Sequence, residues 1–190
     1  FSGYINVKSY DDLVIPFRCN ATDIISGDEV VFKNGSLAKS LRISSSIPMI
    51  FSPIEYNDRL LVDGGLINNL PINLAEDLGA EYIIASNVMS REKSKNEIID
   101  IFNIIERIIN LYGNKNEQSN LLKADILINP RLEEISSISF SINDITKMKL
   151  EGKKAAYNNL SKFLKLKNGK TNLINLASIP ENMIKIDSLI

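Results

Sequence analysis

The segment RLLVDGGLINNLP, residues 59–71, places an aspartate at the end of an apolar run, with two glycines directly behind it and two asparagines and a proline beyond. An acid in that position has two chemical uses. As punctuation, Asp63 bonds the local amides of a turn in which Gly64 and Gly65 supply positive φ. As a reactive group it is a base, and the two absent side chains let another group come close to it. Spacing alone favours the turn, because Asp-Gly turns are common and a lone motif is a weak signal. Composition narrows the chemistry that a reactive Asp63 could share. The chain has no histidine and a single cysteine, Cys19, which excludes an internal disulfide framework and a thiolate zinc site and removes the usual general base. Catalysis therefore falls to carboxylate, hydroxyl, lysine or backbone. Cys19 sits in an expected strand with only Arg18 beside it to lower its pKa, so a buried, inert thiol is expected.

The chain that must position these groups has 190 residues, 44% of them hydrophobic, which suffices for one sizeable core. Its 22 basic and 23 acidic residues nearly cancel, so no global field recommends nucleic acid as a partner. No run of about 18 apolar residues marks a membrane-spanning helix, and no basic region followed by an apolar stretch opens the chain. The first residue is Phe1, as expected of a processed product or a piece of something longer.

The pattern alternates between strands and helices. IPFRCNATDI (15–24) and EVVFKNG flank Ser26-Gly27-Asp28 as a hairpin. Ser36 caps a short helix with Leu37, Leu41 and Ser44 on one stripe, and Pro48 follows its end. RLLVD is a strand, LPINLAEDLG a helix with Pro71 in its first turn and Gly79 at its C-terminal end, and AEYIIASNV a buried strand. Strand, helix, strand at this spacing predicts a parallel crossover. Residues 98–112 carry a sustained amphipathic helical stripe, a second helix is expected around 114–123, and ADILINP reads as a strand stopped by Pro130. A last helix spans 144–168 on Ile145, Met148, Gly152, Ala156, Leu160 and Phe163. These elements predict an α/β architecture with a mostly parallel sheet covered on both faces and a β-hairpin near the N-terminus. Asp63 then lies at the carboxyl end of a strand, where open parallel sheets present ligand crevices.

The succession FRCNATDIISGDEVVF, then GSLAKSLRISSSIPMIFSPIEYNDRLLVDGGLINNLPINLAEDLGAEYIIASNV, then ADILINP resembles the second half of a bacterial patatin-like phospholipase domain, over roughly residues 13–165. The resemblance implies a three-layer α/β/α fold and an acyl hydrolase that uses a Ser–Asp dyad. Its aspartate sits in an Asp-Gly-Gly or Asp-Gly-Ala motif, which matches Asp63-Gly64-Gly65, so Asp63 would be the proton acceptor. RISSSIP corresponds to the family's short helix near the active site. Ser44, Ser45 and Ser46 carry over no catalytic role and read as small residues for tight packing at a helix end. The family also needs a Gly-x-Ser-x-Gly nucleophile elbow and a glycine-rich oxyanion loop. The nine glycines here flank no serine at that spacing. The expectation is that residues 1–168 are the C-terminal portion of the domain and that the nucleophile belongs to a missing N-terminal half.

A chain without histidine suits direct proton transfer to a carboxylate, as a dyad requires. Burial against Leu61 and Val62 is expected to raise the pKa of Asp63 toward neutrality. No cofactor and no metal are needed. Asn68 and Asn69 are expected to bond the backbone of the turn and to start the following helix. Between residues 144 and 170, eight lysines accompany Asp144 and Glu151, which suits either a solvated face or contact with an anionic lipid surface. The tail LASIPENMIKIDSLI resembles the start of a POTRA-type domain, and residues 169–190 are read as a linker into it. That resemblance implies a parent protein delivered to or beyond the cell surface. Two functions follow: part of a lipid-ester hydrolase with Asp63 as base, or a non-catalytic remnant kept as a structural module.

Overall fold

The computed structural model describes residues 8–88, 119–132 and 141–168, with Ile104, Arg107, Ile135 and Ser139 as isolated positions. The expected helix over 98–112, except for Ile104 and Arg107, and the tail 169–190 lie outside the described residues, and the expected helix at 114–123 is described only from 119.

Tight turns build the main sheet. Strands β1 (Cys19–Asp23) and β2 (Glu29–Phe32) form the expected hairpin. The Asp23 carboxylate accepts from the Ile25 amide at 3.1 Å and the Ser26 hydroxyl at 3.2 Å, and Gly27 takes φ 81°. Helix α1 (Leu37–Ser44) begins at Ser36, whose hydroxyl accepts from the Lys39 amide. Its buried residues are Ser40 and Ile43, while Leu41 is exposed, so the inward stripe is rotated from the expected Leu37, Leu41 and Ser44. The rotation has a polar cause: the Tyr10 hydroxyl, fully buried, bonds Ser40 Oγ at 2.8 Å and holds that side of the helix against the sheet. Strands β3 (Ile54–Tyr56) and β4 (Arg59–Asp63) are joined by Asn57 and Asp58, with φ 49° and 59°. Two central residues at positive φ are the geometry of a type I′ hairpin turn.

The strand order is β2-β1-β4-β3 and every pairing is antiparallel. The expected mostly parallel sheet is therefore corrected. Two of the three pairings are closed by short turns, and so short a connection joins only antiparallel neighbours. After helix α2 (Ile72–Asp77), strand β5 (Ile84–Ser86) pairs in parallel with β6 (Ile126–Ile128) and not with β4, so among the described residues β4-α2-β5 is not a crossover within one sheet. Nor is β5 buried on both faces: Ile83 and Ala85 are buried while Ile84 is 51% exposed, the alternation of a strand packed on one side. Pro71 stands at the N-cap of α2 and not within its first turn. Gly79, at φ 79°, ends that helix as expected, with its amide on Glu76 O and the Ala80 amide on Ala75 O.

The expected single helix over 144–168 is two, α3 (Ile142–Tyr157) and α4 (Leu160–Asn168). The Asn159 side-chain amide donates to Leu127 O at 3.1 Å and Ala155 O at 3.0 Å, tying the junction to β6 at the expense of a continuous helix. The architecture is mixed α/β. One core cluster, from Tyr10, Cys19, Ala21, Phe32, Ile43 and Leu61, joins α1 to the main sheet, and a second, from Leu70, Ile72, Ile83 and Ala85, joins α2 to β5.

Candidate active site

Asp63 ends β4 opposite Ala21, on the face of the sheet that carries α1. It is not at the mouth of a parallel sheet, because β4 is antiparallel to both neighbours. What presents it is the change from strand to 3-10 turn at Gly64–Leu66. The backbone amide of Asp63 donates to Ser46 O at 3.0 Å, so the end of α1 is stitched to the end of β4. Its Oδ1 accepts from the Gly65 amide at 2.7 Å, and Oδ2 has no hydrogen-bond partner among the described residues. The side chain is half-buried beside the buried Leu61 and Val62. Burial raises the pKa of Asp63 above the ordinary carboxylate value, against the opposing bond from the Gly65 amide.

Neither Gly64 nor Gly65 takes positive φ, so the turn does not need them for conformational freedom. It needs them for room. A Cβ on Gly64 would lie 2.5 Å from Asn20 Cγ and 2.6 Å from the Asn20 carbonyl oxygen, and one on Gly65 would lie 2.6 Å from Asn69 Oδ1. The space that the glycines leave at these points is filled by the protein's own asparagines.

Beneath the turn lies a set of amides that the sequence reading did not find. Asn20 Nδ2 donates to Glu29 Oε1 at 2.7 Å and to Asn68 O at 2.9 Å. Asn68 Nδ2 donates to the same Glu29 oxygen at 2.9 Å and to Asn73 Oδ1 at 3.0 Å. Asn120 Nδ2 reaches Asn68 Oδ1 at 3.3 Å and Leu70 O at 2.9 Å. Asn20, Asn68 and Asn120 are all buried, and their side-chain amides are paired with one another and with Glu29, Asn73 and the Leu70 carbonyl. Asn68 thus fixes the turn to β1, β2 and the 119–121 helical turn. It does not cap α2, which has no side-chain cap, and Asn69 is exposed, so the expected capping role is corrected for both. The sequence signal was the density of asparagines after Asp-Gly-Gly; their partners lie up to 52 residues away.

The last two serines of RISSSIP bond back to the carbonyls of α1. Ser45 and Ser46 hydroxyls donate to the carbonyls of Leu41 and Arg42 at 2.6 and 2.7 Å, and Arg42 also donates to Ser46 Oγ at 2.7 Å. Beyond Ser46 the chain turns through Met49 at φ 74° and leaves Met49, Ile50 and Phe51 exposed. Cys19 is buried and its thiol is pushed up to about 11 by that burial, partly offset by a hydrogen bond with Ser44, so it is inert at neutral pH. Among the described residues no group of acids and cysteine could hold a metal ion. A cleft of about 750 Å3 opens elsewhere, between the end of β6 and α3, lined by Arg131, Lys147 and Lys154 among others and not by Asp63.

Residues 2–76 match the family model described as patatin-like phospholipase. The chain is similar to an uncharacterized NTE family protein of Mycobacterium tuberculosis, 44% identical over 82 residues that cover 43% of this chain and 14% of the relative. It is 35% identical over 80 residues to Lysophospholipase NTE1 of Meyerozyma guilliermondii, covering 42% of this chain and 6% of that protein. It is 36% identical over 89 residues to Patatin-like phospholipase domain-containing protein 7 of Mus musculus, covering 46% and 7%. The chain thus spans a small part of the length of each of these curated relatives.

Proposed function

From the patatin-like phospholipase match over residues 2–76, we propose that this chain supplies the base of a serine acyl hydrolase acting on phospholipid or related lipid esters. Asp63 is the proton acceptor of a Ser–Asp dyad. The serine and the oxyanion hole come from another part of the parent protein, since no Gly-x-Ser-x-Gly occurs in these residues. The observation that carries the reading is the state of one carboxylate: Oδ1 is held by the Gly65 amide, Oδ2 is uncommitted among the described residues, and burial raises the pKa. A base must be oriented, have a free lone pair and hold a proton better than an ordinary carboxylate does, and these three features point in that direction.

The steps follow from that geometry. Asp63 Oδ2 takes the proton of the serine as its oxygen attacks the ester carbonyl, and the departing alcohol takes a proton back as the acyl-enzyme forms. Water then attacks the acyl group and gives its proton to Asp63; the bond from the acyl carbon to the serine oxygen breaks, Asp63 returns that proton to the serine, and the fatty acid leaves. No step calls for a metal or cofactor. The exposed Met49, Ile50 and Phe51, three to five residues beyond the Ser46 carbonyl that holds the Asp63 backbone, offer an apolar wall suited to an acyl chain.

In the full-length parent, Asp63→Asn is expected to lower hydrolysis of an acyl ester by about a hundred- to ten-thousandfold, with an unchanged circular dichroism spectrum. Activity near the wild-type level in that variant would remove Asp63 from the mechanism. The 190-residue chain by itself is expected to be inactive.

A further inference from the structure

Helix α3 turns an unusual mixture outward. At 3.6 residues per turn, Ile142, Leu150 and Tyr157 fall within an arc of about 80° on the side opposite the buried Ala155. All three are more than half exposed, at 69%, 52% and 61%. Lysines accompany this apolar ridge: Lys149 borders one side and Lys147 and Lys154 the other, while Lys153 falls within the arc, its Nζ 5.9 Å from the Tyr157 ring centre. In α4, Leu160 and Leu164 are also exposed and fall within about 40° of each other around the helix. The two acids on α3 offset only part of this charge, Glu151 through its pair with Lys154 and Asp144 through its attraction to Lys147. Asp144 accepts from the Ser139 and Ser141 hydroxyls at the helix start, and Glu151 is paired with Lys154 at 2.6 Å. Beside the ridge, the cleft after β6 is lined by the Glu151–Lys154 pair and by Arg131 and Lys147, neither of which makes an ion pair within 4 Å with a described residue, so its net charge is positive.

We propose that the outward ridge of α3, with the cationic cleft beside it, is a docking face for an anionic phospholipid bilayer. Ordinary solvation accounts for the lysines but not for three large apolar side chains aligned among them. A bilayer surface accounts for both: the apolar side chains enter the boundary between headgroups and acyl chains, and the lysines remain at the level of the phosphates. Anionic lipid is the occupant because the uncompensated charge is of one sign and each lysine near such a surface adds to the attraction. The cleft, open and cationic, takes a headgroup phosphate. This inference concerns binding and does not depend on Asp63 being a base.

The test is co-sedimentation of the full-length protein with vesicles of phosphatidylcholine alone or mixed with phosphatidylserine. Binding is expected on the mixed vesicles, weakening as salt screens it. The exposed double substitution K149E/K153E is expected to reduce it by at least about tenfold. R131E/K147E is expected to lower binding to the mixed vesicles while leaving binding to neutral ones as it was, and L150S/Y157S to lower binding to both. Equal binding of the wild type to neutral and mixed vesicles, or unchanged binding by K149E/K153E, would overturn the proposal. Because the readout is sedimentation and not turnover, its failure is separate from failure of the hydrolase reading.

Discussion

At the scale of a residue, Asp63 joins a structural bond to a titration that its surroundings have shifted. Burial raises its pKa and the Gly65 amide opposes the rise. An acid whose folded pKa exceeds its unfolded value contributes stability that is fully present below the unfolded pKa, about 3.9 for aspartate, and is lost as pH rises through the folded pKa. Asp63→Asn keeps an oxygen for the Gly65 amide and carries no charge. It is therefore expected to raise the melting temperature at neutral pH, with the gain vanishing below about pH 4. Thermal melts across that range check the sign; a lower melting temperature at neutral pH would mean that the carboxylate is held by more than one amide. If Asp63 is the base, as proposed, the acid limb of ester hydrolysis by the full-length parent is expected above the ordinary aspartate range in a pH–rate profile, and a limb within that range would speak against the role.

At the scale of an element, the Asp-Gly-Gly turn owes its place to the amides beneath it. Asn68 bonds β1 through its carbonyl, and Glu29, Asn73 and Asn120 through its side chain. Truncating it strands buried polar groups on several elements. Asn68→Ala is expected to cost about 1–3 kcal/mol, read from the midpoint of urea unfolding, whereas Asn69→Ala, at an exposed position, is expected to change stability by less than about 0.5 kcal/mol. Equal effects at the two positions would mean that the network adds nothing. Asp-Gly-Gly was legible in the sequence as a strand end followed by a turn, since both depend on the residues themselves. The anchoring of that turn was not, because Asn20 and Asn68 look like any asparagines near turns until chain segments 48 residues apart are brought together.

At the scale of the whole molecule, two small cores join the described elements, which keep much apolar surface in contact with solvent. Tyr82, Ile84, Val88 and Leu122 are exposed around the two-stranded sheet of β5 and β6, whose outer edges are unpaired among the described residues. Unpaired edges and exposed apolar patches promote association. The 190-residue chain, expressed alone, is expected to self-associate in light scattering, and I84T/L122Q to reduce the effect; a monodisperse monomer at high concentration would contradict this.

The sequence by itself determined what adjacent residues settle: the hairpin turn around Ser26-Gly27-Asp28, the Ser36 cap, the Gly79 helix end and the absence of any histidine to share with Asp63. These depend on local stereochemistry and side-chain chemistry, which distance along the chain does not alter. The hairpin at Asn57-Asp58 was within its reach and was missed. The half-burial of Asp63 and the direction of its pKa shift were expected from the apolar Leu61 and Val62 beside it, whereas only the tertiary structure decided that the main sheet is antiparallel, that β5 pairs with β6 and that Asn159 divides the last helix in two. Strand pairing is a property of what surrounds a residue, and those surroundings are assembled from segments far apart in the chain.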